Sequence, residues 1–119
     1  PNVIRAAKFL QNFSKKKSEN YFKTFNFFTD ILDEDLKFDV VVLVNWIHGF
    51  ESEDIRYSLN SLVKNNLNDK GLIVFDIIEN NTSYKFNHTA SDLLDLEKFS
   101  ITVLDGYPFG RKLIFAELK

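Results

Sequence analysis

Side chains that bind ligands or exchange protons follow directly after an apolar segment in "KFDVVVLVNWIHGFES". Asn45, Trp46 and His48 come immediately after the aliphatic run that ends at Val44. An imidazole exchanges protons near neutral pH, so His48 is a candidate general base. Two alternatives stay open, since His48 could be a hydrogen-bonded core histidine and Trp46 could be a core aromatic.

Two carboxylates stand in comparable positions elsewhere in the chain. Asp76 lies within the apolar segment "LIVFDII", where a carboxylate without a partner would be costly, so we expect it to have one. Asp30 and Ile31 follow "TFNFFT", and the Asp30 side chain could bind a ligand or could bond its own backbone in the turn "DILDED".

Periodicity predicts how these side chains are positioned. Val40–Val44 and Leu72–Ile78 are apolar without alternation, which is typical of strands covered on both faces in a parallel sheet. Between them, Ser52 is suited to cap a helix whose first turn carries Glu53 and Asp54. Strand, helix and strand form a βαβ unit, and ligands of open α/β sheets bind outside the carboxyl ends of the strands.

The remaining pattern completes an α/β chain. A terminal antiparallel hairpin is expected around "GYPFG", which has glycine at both ends and proline inside. The other predicted elements are a helix over residues 2–16, a strand near residues 22–28, a polar loop over Glu79–Thr89, a short helix over Ala90–Lys98 capped by Thr89 or Ser91, and hairpin strands over Phe99–Asp105 and Arg111–Leu118.

Composition excludes several classes of function. The chain has 119 residues, with 15 basic and 17 acidic side chains, so its charge favours neither a nucleic-acid nor a membrane partner. It has no cysteine, and its two histidines lack ligand spacing, so we expect no metal site. No apolar run approaches the length of a membrane span, and we expect a cytoplasmic protein.

The order of these segments resembles the C-terminal part of a class I S-adenosylmethionine-dependent methyltransferase. The resemblance covers nearly the whole chain, and no single motif decides it. The segments that carry it are "PNVIRAAKFLQNF", similar to the helix after the family's second strand; "NFFTDILDEDLKFD", similar to its third strand and acidic turn; "KFDVVVLVNWIHGF" followed by "LVKNNLNDKGLIVFDI", similar to its middle; and "FSITVLDGYPFGRKLIFAELK", similar to its terminal hairpin.

The resemblance implies a partial Rossmann-like methyltransferase fold, a mainly parallel sheet with a C-terminal antiparallel hairpin and flanking helices, in one partial domain over residues 1–119. It implies that Asp30 accepts a hydrogen bond from the adenine amino group and that Ile31 packs on the adenine ring. Asn45 and Trp46 would line the gap between cofactor and substrate. His48 would take a proton from a hydroxyl of a small-molecule substrate as the methyl group of S-adenosylmethionine moves.

The family's glycine-rich cofactor loop has no counterpart here, since no two of the four glycines lie close enough to form it. With a chain that starts at Pro1, this predicts a fragment that is inactive alone, whose parent binds S-adenosylmethionine. The Val40–Val44 strand would then be an exposed edge through which the chain can form a homo-oligomer. Two other functions stay open: a non-catalytic interaction module that binds a protein partner through Glu79–Thr89, and a nicotinamide-cofactor domain, which the missing glycine fingerprint disfavours.

Overall fold

The structure is a computed structural model that describes residues 5–6 and 23–119. The chain divides into two compact units, Pro1–Asp30 and Ile31–Lys119. Arg5 and Ala6 are helical, and the rest of the helix predicted over residues 2–16 lies outside the described residues.

Residues 23–30 form no strand, so the strand predicted near residues 22–28 is wrong over its described part. Side chains compete with strand pairing there. The Asn26 N–H donates to Asp30 Oδ2 at 2.8 Å, and Asn26 Oδ1 accepts from the Phe28 N–H at 3.0 Å. Asn and Asp favour such local bonds, which close the backbone into a turn.

The second unit begins with the predicted strand, helix and strand. β1 spans Phe38–Leu43, α1 spans Ser52–Asn66 and β2 spans Leu67–Ile78. β1 and β2 are parallel, with Val41 opposite Ile73. Ser52 is the first helical residue and Glu51 precedes the helix, so the predicted Ser52 cap is wrong by one position.

The terminal hairpin is confirmed, although the sheet is not mainly parallel. After the short helix α2 (Ala90–Leu93), β3 spans Phe99–Leu104 and β4 spans Arg111–Leu118. The strand order is β1-β2-β4-β3, with β4 antiparallel to both β2 and β3. Among the strands that the structure describes, β1 and β2 are the only parallel pair, because the hairpin strand β4 makes the other two pairings. The fold is therefore an α/β fold with a four-stranded mixed sheet.

The two faces of the sheet differ in burial. One face carries the buried β2 side chains Ile73, Phe75 and Ile77, and α1 contributes its own buried stripe to the core. The core side chains include Ile55, Leu59, Leu62, Ile73, Phe75, Ile77, Ile114 and Ala116. The opposite face is half-buried at Leu72 and Val74 and becomes completely buried further along β2, at Asp76 and Ile78.

β1 occupies an edge of the sheet, and the expectation that both its faces are buried is wrong. Val40 and Val42 are 52% and 61% exposed, on the face that continues from Leu72 and Val74. Among the described residues, no strand pairs with the outer edge of β1.

The N-terminus of α2 is fixed by a reciprocal pair of hydrogen bonds. The Thr89 N–H donates to Asp92 Oδ2 at 2.8 Å, and the Asp92 N–H donates to Thr89 Oγ1 at 3.3 Å. This capping box confirms Thr89 as the cap. The N–H and hydroxyl of Thr89 hold the pKa of Asp92 below its usual value of 3.8, and the charges of His88 and Arg56 lower this pKa further.

We predict that Thr89→Ala lowers the free energy of unfolding by about 1 kcal/mol at neutral pH, because it removes one bond of the capping box. The pKa of Asp92 is lower in the folded chain than in the unfolded chain. The ionised Asp92 carboxylate therefore stabilises the fold above the unfolded pKa, and this stabilisation is lost as the pH falls through the folded pKa. Urea denaturation should therefore show the difference from wild type shrinking as the pH falls below 3.8. Thr82→Ala, at an exposed loop hydroxyl, is the control. An equal loss in both variants would contradict the prediction.

Candidate functional site

A completely buried carboxylate stands at the carboxyl end of β2. Asp76 is 0% exposed and receives polar groups from three residues, two in the turn after β1 and one at the start of β4. The Asn45 N–H donates to its Oδ1 at 2.7 Å, His48 Nε2 lies 3.2 Å from its Oδ2, and Arg111 Nη1 donates to Oδ2. These partners offset the cost of burying the charge, and the expectation that Asp76 has a partner is confirmed.

His48 belongs to the 3₁₀ turn Ile47–Gly49 that follows β1, and it is 5% exposed. Its Nε2 faces Asp76, and its carbonyl oxygen accepts from the Phe86 N–H at 3.1 Å. Its Nδ1 is buried and has no hydrogen-bond partner among residues 5–6 and 23–119. Leaving such a group unpaired costs about 1–3 kcal/mol. A buried ring nitrogen without a hydrogen bond therefore lies just beyond the end of β1.

Asn45 turns the chain into the site. It has a φ of 56°, a left-handed conformation that asparagine tolerates better than most residues. This turn ends β1 and directs the Asn45 N–H at the carboxylate of Asp76. Trp46, the next residue, packs against Phe50 with 4.9 Å between the ring centroids. The structure thus brings Asn45 and His48 onto one carboxylate, while Trp46 packs against Phe50.

Arg111 is a member of this cluster that the sequence-based prediction missed. Its Nη1 donates to Asp76, and its Nη2 lies 3.3 Å from Asn45 Oδ1. Gly110 sets the start of β4, because its φ is +72° and an added Cβ would lie 2.7 Å from the Glu79 oxygen. A sequence signal existed, since a buried Asp76 calls for a cation, but the choice of Arg111 depends on the register of β2 and β4.

The loop from Glu79 to Thr89 reaches back over the site, which the sequence did not predict. Tyr84 OH lies 3.2 Å from Arg111 Nη2, and the Tyr84 ring stands edge-on to His48 with centroids 5.1 Å apart. His88, 3% exposed, places its Nε2 3.1 Å from the Ile47 oxygen. The loop is therefore fixed to the turn after β1 at several points.

The other two predicted site residues lie near the boundary of the two units. Asp30 ends the first unit, and its Oδ2 accepts from the Asn26 N–H, as the alternative of a turn-capping aspartate requires. Ile31 begins the second unit and is 90% exposed. Because residues 23–30 form no strand, Asp30 does not follow a strand end, contrary to the prediction.

An open depression of about 290 Å³ lies beside the Glu79–Thr89 loop, and its wall includes three carboxylates. Its lining residues are Glu51, Ser52, Glu53, Phe86, Asn87, His88 and Asp92. No group of three or more potential metal ligands occurs within the part of the chain that the structure describes. Within the same residues, none of the helices is both long and apolar enough to cross a membrane.

The cluster combines a buried anion, a cation and an imidazole in one hydrogen-bonded group. Both oxygens of Asp76 are engaged, whereas His48 keeps one ring nitrogen unbonded. An imidazole held on one side by a carboxylate and unbonded on the other has a ring nitrogen that could exchange a proton with a ligand that reached it. The arrangement is chemically suited to general acid–base work.

Comparisons with protein-family models, with curated proteins and with solved structures found no match.

We predict that Asp76→Ala lowers the free energy of unfolding by about 3–5 kcal/mol, because it leaves the Arg111 guanidinium without its buried counter-charge. Chemical denaturation measures the change. Glu79→Ala is the matched control, since the Glu79–Lys112 pair is 3.1 Å apart but 46% and 29% exposed. Its loss should cost no more than about 1 kcal/mol. An equal loss of unfolding free energy in the two variants would show that the contacts of Asp76 do not stabilise the fold through their burial.

Proposed function

We propose that the chain forms the C-terminal part of an S-adenosylmethionine-dependent methyltransferase with a Rossmann-like fold that methylates a hydroxyl of a small molecule. The assignment to oxygen rests on Asn45 being followed by Trp46 and Ile47, and not by the Pro-Pro-aromatic sequence of many nitrogen methyltransferases. The 119 residues alone are expected to be inactive.

The strongest support is the contact between His48 and Asp76 at the carboxyl ends of two parallel strands. Ligands of open α/β sheets bind at this edge, and the imidazole of His48, a group of the type that serves as a general base, lies there. The order of the segments and the terminal antiparallel hairpin agree with the resemblance described above.

The residues present fit part of the cofactor. Asp30 Oδ2 accepts one hydrogen bond, and a carboxylate has about four lone-pair sites, so Asp30 retains the capacity to accept another from an adenine amino group. Ile31 is exposed and could cover the adenine ring. Asn45 and Trp46 follow β1 at the strand end where the cofactor and substrate would meet. No residue of the chain supplies the glycine-rich loop that approaches the methionine part.

When bound, S-adenosylmethionine supplies an electrophilic methyl group whose bond to sulfur breaks, with the electron pair going to sulfur, as the acceptor oxygen bonds to the methyl carbon. In this step the role of the chain would be to accept the proton of the hydroxyl group. His48 would accept that proton, and Asp76 would stabilise the imidazolium that results.

The test uses the longest natural reading frame that contains this sequence. Asp30→Ala should weaken S-adenosylmethionine binding by about tenfold or more in calorimetry, because it removes a charge-assisted hydrogen bond. His48→Gln should leave this binding unchanged and lower methyl transfer to hydroxyl acceptors by about 10²-fold. Asp35→Ala, at another exposed acid near Asp30, is the control for binding.

A second candidate function is a non-catalytic interaction module that binds a protein partner through the Glu79–Thr89 loop. The acidic depression beside that loop favours it. The same variants separate the two functions. Failure of the wild-type reading frame to bind S-adenosylmethionine, together with partner binding that Asp30→Ala and His48→Gln leave unchanged, would replace the first function by the second.

We also propose that a second copy of the chain pairs with β1. The outer edge of β1 has no strand partner among the described residues, and its exposed valines offer apolar surface. Sedimentation velocity should show the 119-residue chain associating as its concentration rises. Val42→Lys should weaken this association, whereas Thr102→Lys, on the opposite edge strand β3, should not. A monomer at every concentration would contradict the proposal.

A further inference from the structure

We infer that Asp76 is a positioning residue that fixes His48 in the tautomer protonated on Nε2, which leaves Nδ1 as the atom that accepts the substrate proton. The inference rests on the proposed function for the identity of the proton donor. It names two things beyond that function: the ring atom that acts as the base, and the residue that selects it.

The hydrogen-bond partners of Asp76 determine whether its two oxygens donate or accept. Its Oδ1 faces the Asn45 N–H and its Oδ2 faces a guanidinium N–H of Arg111. Backbone amides and guanidinium groups donate hydrogen bonds and do not accept them. Neither oxygen can therefore carry a proton without facing a donor, so Asp76 acts as an acceptor at both oxygens.

The state of Asp76 decides the tautomer of His48. Because Asp76 Oδ2 accepts, His48 Nε2, 3.2 Å away, must be the donor and carry the ring proton. In the neutral ring the lone pair then belongs to Nδ1. Nδ1 is the buried nitrogen that has no partner among the described residues. A proton acceptor is thus held unsatisfied at the strand end, and a buried polar atom of this kind calls for an explanation such as catalysis.

Two neighbouring groups extend this arrangement. Tyr84 stands edge-on to the His48 ring, and its hydroxyl is bonded to the same Arg111 that holds Asp76. The Glu79–Thr89 loop is therefore fixed to the carboxylate that orients the base. His88 provides an internal comparison, because its Nε2 lies 3.1 Å from the Ile47 carbonyl oxygen. A carbonyl only accepts, so His88 must also be protonated on Nε2, independently of Asp76.

Long-range ¹H–¹⁵N NMR on the 119-residue chain, recorded at a pH at which the ¹⁵N shifts show both rings to be neutral, identifies the protonated nitrogen of each ring. Both His48 and His88 should be protonated on Nε2. In Asp76→Asn, whose side-chain amide can donate as well as accept, His48 should lose this preference while His88 keeps it. Tyr84→Phe removes only the tyrosine hydroxyl and should leave both rings unchanged. A wild-type His48 protonated on Nδ1 would overturn the inference even if Asp76→Asn does not fold.

The turnover arm separates this inference from the proposed function. In the longest natural reading frame, Asp76→Asn should lower kcat for methyl transfer by about 10²-fold and leave KM within about twofold, since it changes the base and not the binding of substrate. An altered tautomer with unchanged kcat would overturn the positioning role. If NMR shows the predicted tautomers but the protein transfers no methyl group, the proposed function is overturned. The assignment of Asp76 as the residue that fixes the His48 tautomer then still stands.

Discussion

A carboxylate removed completely from water constrains most of the polar architecture of this chain. Asp76 lies within an apolar strand, and burial there is tolerated only if donors reach both of its oxygens. Those donors come from the turn after β1 and from the start of β4, so one buried charge ties together elements that are far apart in sequence. The same requirement orients His48. Stability of the strand end and the chemistry proposed for it therefore have one physical origin.

The sequence predicts well those parts of the fold that depend on local pattern. Continuous apolar runs indicated β1 and β2, an amphipathic stripe indicated α1, and glycine and proline indicated the terminal hairpin, all of which the structure contains. The helix cap at Thr89 was also readable, because a threonine followed three residues later by an acid is a local signal. The need of Asp76 for a partner followed from its apolar surroundings alone.

The parts that the sequence did not predict depend on contacts between distant segments. Arg111 and Tyr84 join the site only after β4 pairs with β2 and the loop folds back, and neither event has a local signature. The strand expected near residues 22–28 was lost to side-chain bonds of Asn26 and Asp30, which outweigh aromatic strand propensity. The exposure of Val42 likewise depends on the position of β1 in the sheet: the apolar run alone predicts two buried faces, and the exposed edge was expected only from the resemblance.

The central claim is that the Asp76 carboxylate holds the turn after β1 in place. Native-state amide hydrogen exchange at Asn45 tests it most directly, because the N–H of this otherwise exposed turn residue donates to Asp76 Oδ1. The account predicts that the Asn45 amide exchanges far more slowly than an unprotected loop amide. It also predicts that Asp76→Ala, which leaves no side-chain acceptor for this N–H, removes much of this protection while the amides of the β2–β4 ladder keep more of theirs. Exchange of the wild-type Asn45 amide at the rate of an unstructured chain would contradict the account.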